Sequence, residues 1–320
     1  MYGNFKIFSG SSHKGLAERI CHRLGMPLGK SKTVQFSNEN LLVQIEENVR
    51  EADVFVIQTA APPLHQNIFE MFITIDALKG ASAARVTAVL PYMPYVRSDK
   101  KDRPRISITA RLMADLLEAC GADRVLTMDL HAPQIQGFFR KPTDQLQAAV
   151  IICKYLARSD LSDAVLIAAD AGEAKDLGRY AQLLDLPIAI IDKRRDGDDE
   201  NPRAVNLIGD VKGKTAIIID DEIASAGTII KASEFLYSEG ATSVKAAATH
   251  AVFSGTAMEK IASSRLTEVI VTDTVPVPPE KRLDNITVLS GDRIFASAIQ
   301  RIHDGNSVSS LFKHESLRQG

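Results

Sequence analysis

The stretch from Lys214 to Ile230, KTAIIIDDEIASAGTII, decides the fold. Ala216 to Ile219 is apolar on both faces and rich in β-branched residues, the pattern of a parallel strand buried on two sides. Asp220 and Asp221 follow at its carboxyl end, where open α/β sheets bind their ligands. Adjacent carboxylates there suit the vicinal hydroxyls of a ribose, directly or through a metal. Ala224, Ser225, Ala226, Gly227 and Thr228 then form a turn of small residues before a helix. Such a turn lets backbone N–H groups close around a phosphate at the helix amino end.

Outward from this segment, strand-like runs alternate with helical patterns. The clearest strands are Asp53–Gln58, Arg85–Leu90, Arg124–Met128, Ala164–Ala169, Ile188–Ile191, Thr215–Ile219, Val244–Ala248 and Val269–Thr272. Ile68, Phe72, Ile75 and Leu78 mark one amphipathic helix, and Leu112, Leu116 and Leu117 another. This alternation predicts an α/β fold with parallel, doubly wound sheets.

A faint repeat suggests two similar domains. Gly121-Ala122, Val125, His131 and Ala132 recur 119 positions later as Gly240-Ala241, Val244, His250 and Ala251. At 320 residues the chain accommodates two cores. The expected division lies near residue 147, giving domains 1–147 and 148–320.

A formal net charge of −2, from 38 Lys and Arg against 40 Asp and Glu, argues against a nucleic-acid partner, which requires a basic face. No apolar run reaches the length of a membrane span and no signal peptide opens the chain, so a soluble cytoplasmic protein is expected. Cys21, Cys120 and Cys153 are odd in number and scattered, which favours reduced thiols inside helices. Gly209 to Thr215 and Gly10 to Gly15 are near misses for a phosphate-binding P-loop: the first is one residue short and precedes its strand, and the second lacks the Lys-Ser/Thr pair.

Two other strand exits carry chemistry. Residues 91–107, PYMPYVRSDKKDRPRIS, place five basic residues in a long loop, a cationic lid suited to phosphates. Residues 127–139, TMDLHAPQIQGFF, present Asp129 and His131.

These segments, with Phe36-Ser37-Asn38, Asp170-Ala171-Gly172, Lys193-Arg194-Arg195 and the closing Ser307 to Phe312, make the chain resemble ribose-phosphate pyrophosphokinases from residue 5 to 312. The ribose-phosphate turn is shared with type I phosphoribosyltransferases, but the amino-terminal half is not. The resemblance implies two phosphoribosyltransferase-like domains, an amino-terminal nucleotide-side domain and a carboxy-terminal domain binding ribose 5-phosphate. It implies ATP contacts at Phe36, Asn38, Asn40, Arg97, Ser98, Asp99 and His131, and magnesium contacts at His131 and Asp170. Lys193 and Arg195 are the implied catalytic cations. Arg195, Asp220, Asp221, Ala224, Ser225, Ala226, Gly227 and Thr228 would hold ribose 5-phosphate.

The implied reaction moves the diphosphoryl group of MgATP to the C1 hydroxyl of ribose 5-phosphate, and the implied assembly is a homo-oligomer, a hexamer by resemblance. The chain departs from the family pattern at Ala224 (usually Asp), Ser225 (Thr), Asn40 (Glu) and Ser98 (Gln). Those departures are what a rival reading would cite, a non-catalytic regulatory subunit of the same fold that assembles with an active synthetase. Against it stand His131, Asp170, Lys193, Arg195 and Asp220, all retained.

Overall fold

The computed structural model describes residues 5–169, 174–194 and 203–312. In chain order the first elements are β1 (Phe5–Ser9), α1 (Lys14–Arg23), β2 (Ser31–Gln35), β3 (Leu41–Ile45), β4 (Asp53–Ile57), α2 (Leu64–Gly80), β5 (Arg85–Leu90), α3 (Thr109–Ala119), β6 (Arg124–Met128) and β7 (Thr143–Leu146). After Gln147 come α4 (Ala149–Leu156), β8 (Ala164–Ala168), α5 (Ala174–Leu184), β9 (Ile188–Arg194), β10 (Arg203–Ile208), β11 (Thr215–Glu222) and α6 (Gly227–Ser238). The chain continues with β12 (Ser243–His250), α7 (Ala257–Ala262), β13 (Glu268–Thr272), β14 (Ile286–Leu289) and α8 (Asp292–His303).

Two compact units result. The first runs to Gln147 and also takes in Thr274–Pro276 and the segment from Gly291. The second holds Ala148–Asp273 and Val277–Ser290. A contiguous second half from 148 to 320 therefore does not describe α8. That helix belongs to the first unit and buries Ile294, Phe295, Ala298, Ile299 and Ile302; Asp292 pairs with Arg23 at 2.7 Å, and His303 Nδ1 lies 2.8 Å from the fully buried Asp53 while its ring stacks on Phe5. Asp53 also accepts from Arg85 Nε at 2.7 Å, so a carboxylate that burial alone would penalise is met from two sides.

The first unit contains a five-stranded parallel sheet, ordered β1-β4-β5-β6-β7, and a separate two-stranded ribbon, β2-β3. In the second, seven strands run β10-β9-β8-β11-β12-β13-β14, parallel except for β10 against β9. The strand order reverses at β8, so the carboxyl ends of β8 and β11 flank a topological switch point, the usual ligand site of such sheets. The α/β class read from the sequence is borne out.

The strands buried on both faces are the ones their apolar runs announced: every residue of β4 and β8 is buried. For α2 the stripe also holds, with Ile68, Ile75 and Leu78 buried. For α3 it does not. Leu112 and Leu116 are exposed, and the inward face is Ala110, Met113, Ala114 and Leu117. Small residues there let α3 approach the sheet, so the larger leucines point outward.

Cys21 and Cys153 are buried, and burial pushes their thiols up to about 11 and about 12, well out of the reactive range at neutral pH. Among the described residues no helix is long and apolar enough to cross a membrane.

Candidate active site

The turn after β11 is built by its neighbour strand. β11 and β12 pair in parallel as far as Glu222 with His250, three residues beyond the expected strand end. Asp220 and Asp221 therefore lie within the strand, where successive side chains leave on opposite faces. Asp220 Oδ1 accepts the Asp221 N–H at 2.8 Å.

Beyond Glu222 the chain is stapled to the exit of β12. The N–H of Ile223 donates to His250 O (2.9 Å), that of Phe253 to Ile223 O (2.9 Å), and that of Ser254 to Ala224 O (2.9 Å). Lys260 Nζ on α7 donates to Ser225 O at 3.2 Å. Lys281 Nζ in turn holds Phe253 O at 2.9 Å. Nothing local in the sequence announces these two lysines, which stand 35 and 28 residues from their acceptors.

Ala226 caps α6 in the left-handed region (φ 61°, ψ −2°) and is buried. Its methyl cannot accept from the first-turn amides, and no side-chain cap hydrogen bond forms there. First-turn N–H groups with no side-chain cap thus stand at the positive end of the helix dipole, an arrangement suited to phosphate. Ser225 and Thr228 are exposed beside it.

Gly227 departs from the simple expectation that a glycine is needed for the backbone's own sake. A Cβ added there meets nothing nearer than Ser225 Oγ at 3.7 Å, an ordinary contact. The strained position is Ala226, one residue earlier. Any constraint on residue 227 comes from what occupies the space in front of the turn.

In the first unit the long cationic loop divides in two. Met93 and Val96 are buried in the core, and Tyr92 donates its N–H to Thr59 Oγ1 at 3.1 Å. Ser98 closes a turn onto Tyr95 O at 2.9 Å and accepts from Ala110 N–H at 3.2 Å. Residues 100–107 are exposed throughout. The sequence reading of one long lid thus corrects to an anchored stem and an exposed cationic tip, because the apolar residues at 93 and 96 reach the core.

Asp99 sits at the junction, buried, and accepts from Gln134 Nε2 at 3.3 Å. That contact ties the stem to the segment following β6. There Asp129 adopts φ 31° and donates its N–H to Leu146 O at 3.1 Å, and His131 is exposed. Repeat partners His131 and His250 part company here. His250 ends β12 and is buried, whereas β6 stops at Met128.

Phe36, Asn38 and Asn40 form the tip of the β2-β3 ribbon. Phe36 N–H donates to Asn40 O at 2.9 Å, Asn40 N–H to Asn38 Oδ1 at 3.2 Å, and the Phe36 ring is half exposed. Lys193 lies in β9, opposite Ala204 of β10. Asp170 and Arg195 lie outside the described residues.

These features coincide with known proteins along almost the whole chain. Residues 5–121 match the N-terminal domain of ribose phosphate pyrophosphokinase. A ribose-phosphate pyrophosphokinase of Deinococcus radiodurans is 50% identical over 313 residues, covering 96% of this chain and 97% of the relative. The chain belongs to the ribose-phosphate pyrophosphokinase family.

Residues 197–313 match the phosphoribosyl synthetase-associated domain. A Clostridium acetobutylicum member is 47% identical, with 98% of each chain covered. Among solved structures, phosphoribosylpyrophosphate synthetase from Mycobacterium smegmatis matches with a TM-score of 0.90 and 40% identity, covering 95% of this chain and all of that one.

Proposed function

We propose that the chain transfers the diphosphoryl group of MgATP to the C1 hydroxyl of D-ribose 5-phosphate, releasing AMP and forming 5-phosphoribosyl 1-diphosphate. The observation that carries this reading is the turn from Ile223 to Gly227: stapled to its neighbour strand, lacking a side-chain cap and standing at the sheet's switch point.

Ribose 5-phosphate would place its phosphate on the first-turn amides of α6 and on the hydroxyls of Ser225 and Thr228. Asp220 would accept from a ribose hydroxyl. Ala224 brings no carboxylate to the phosphate, so the donors of this turn act with little opposing charge. ATP would set its base on Phe36, Asn38 and Asn40 and its phosphates against Arg97, Ser98 and Asp99.

The C1 oxygen attacks the β-phosphorus, the bond to the α-phosphate oxygen breaks, and AMP leaves. The demand on the protein is in-line positioning and cationic charge on the transferring oxygens. Lys193 and Arg195 would supply that charge.

Magnesium prefers hard oxygen donors and commonly keeps several waters, with one or two carboxylates and substrate phosphates completing its shell. Asp129, next to His131 at the exit of β6, offers such an oxygen, and Asp170 would offer another. The His131 imidazole is a softer donor, better suited to a phosphate or a bound water. Among the described residues no three His, Cys, Asp or Glu side chains group to hold a metal by themselves. When bound, it would neutralise charge on the phosphoryl oxygens. Assembly into a homo-oligomer, a hexamer by resemblance, belongs to the same reading and is checked by light scattering.

The test is AMP formation by the purified chain. AMP that requires both magnesium and ribose 5-phosphate is expected. No AMP under any magnesium or phosphate condition would overturn the enzyme and leave a regulatory subunit.

A further inference from the structure

Ribbon β2-β3 hydrogen-bonds within itself and belongs to neither larger sheet. A lone two-stranded ribbon is marginal in water, so its aim depends on what it is fastened to. One fastening is Glu70, on α2 and buried.

Its carboxylate accepts four hydrogen bonds. Oε1 receives Ser11 Oγ and Thr33 Oγ1, both at 2.7 Å, and Oε2 receives Ser11 N–H at 2.9 Å and Gln58 Nε2 at 2.7 Å. Gln58 is locked in turn, donating to Asn67 O and accepting Ser12 N–H, both at 2.9 Å. A Cβ at Gly10 would fall 2.5 Å from the Gln58 amide, so glycine there leaves the space this network needs. Three of the four donors come from the exits of β1 and β4; the fourth, Thr33, is on β2, three residues before Phe36.

We propose that Glu70 is a positioning residue for the nucleotide base, holding the ribbon through Thr33 so that Phe36, Asn38 and Asn40 are aimed before ATP arrives. This rests on the reading of those three residues as the adenine side. A carboxylate suits the place because every partner is a donor. Gln would keep one acceptor oxygen in place of two, and the Ser11 and Thr33 hydroxyls would have to turn and accept from its amide nitrogen, which removes the charge that holds Thr33. Holding the ribbon in advance removes an ordering cost from nucleotide binding and leaves the chemical step alone.

The test is kinetics on Thr33→Val, Thr33→Ser and Glu70→Gln, with ATP and ribose 5-phosphate varied in turn and thermal unfolding measured alongside. Thr33→Val severs the ribbon arm and leaves the other three bonds of Glu70 in place, so it reports even if Glu70→Gln fails to fold. The ATP KM should rise about three- to tenfold in Thr33→Val, as for one hydrogen bond to a charged acceptor at a partly exposed site. Its kcat and ribose 5-phosphate KM should stay within about twofold, and Thr33→Ser should restore the ATP KM. A wild-type ATP KM in Thr33→Val overturns the proposal, as does a ribose 5-phosphate KM that rises in step with that for ATP. Phe36→Ala separates the two layers: if it leaves the ATP KM unmoved, the adenine assignment is what fails, and if wild type forms no AMP, the functional reading fails before any variant is made.

Discussion

The turn after β11 and the tip of ribbon β2-β3 are both short, yet they are held in opposite ways. The turn is stapled by backbone hydrogen bonds to the exit of β12, its Ile223 and Ala226 are buried, and one residue is kept in a left-handed conformation. The tip of the ribbon is exposed on all sides, and its aim depends on side chains such as Thr33 and Glu70. A phosphate is small, doubly charged and best met by fixed N–H dipoles, which only a rigid backbone holds in place. A purine base is large and flat, and on the proposed reading it is met by side chains on a ribbon that Thr33 and Glu70 hold in place. The proposed ribose-phosphate end is thus fixed by backbone and the proposed nucleotide end by side chains.

The hardest test of that contrast is Lys193→Ala, beside Arg195→Ala. Lys193 lies in β9 opposite Ala204 of β10, and on the proposed reading its charge serves the transition state. We expect kcat to fall about 10²- to 10³-fold with both KM values little changed. An unchanged kcat with a raised KM would make these residues ground-state binders and break the contrast.

Next comes the strained residue. Ala226→Val adds a β-branched side chain to a buried left-handed position, where overpacking costs about 1–3 kcal/mol beyond the strain alanine already carries. Urea denaturation should show a loss of about that size. Ala226→Gly should fold with stability within about 1 kcal/mol of wild type. If valine is tolerated as well as glycine, the turn is less rigid than its hydrogen bonds imply.

Thr228→Ala asks whether the turn serves one substrate. A hydroxyl bonded to a charged phosphate is worth about 1.5–3 kcal/mol, so the ribose 5-phosphate KM should rise about ten- to a hundredfold with the ATP KM steady. The opposite split would mean that the two regions have been assigned the wrong way round.

The smallest effect belongs to the ribbon. Asn40→Glu should shift the ATP-to-GTP preference by about two- to tenfold, the scale of one exposed hydrogen bond. An unaltered preference in competition assays removes residue 40 from base recognition.

Much of this was legible in the chain itself. Strands β4, β5, β6 and β8 follow from their apolar runs, and the turn after β11 from its small residues. The ribbon strands were not called: β2 is mainly polar, and β3 is a short apolar run of which no residue is fully buried. Nor was the outward turn of Leu112 and Leu116, since a helical stripe of leucines does not say which side a sheet will approach. The exit of β11 was read three residues short because its length is set by β12, which continues to His250.

By itself the sequence determined what depends on neighbours along the chain: the α/β alternation, the small-residue turn, the cationic loop and the family to which they belong. Only the tertiary structure decided what depends on partners far away in sequence. The staple of Ser254 onto Ala224, the reach of Lys260 to Ser225, the junction of Asp99 with Gln134 and the four-donor shell of Glu70 each join segments that no periodicity or spacing links. The strain at Ala226 belongs with them. Alanine has no local preference for a left-handed backbone, and only the staples on either side and the burial of its methyl hold it there.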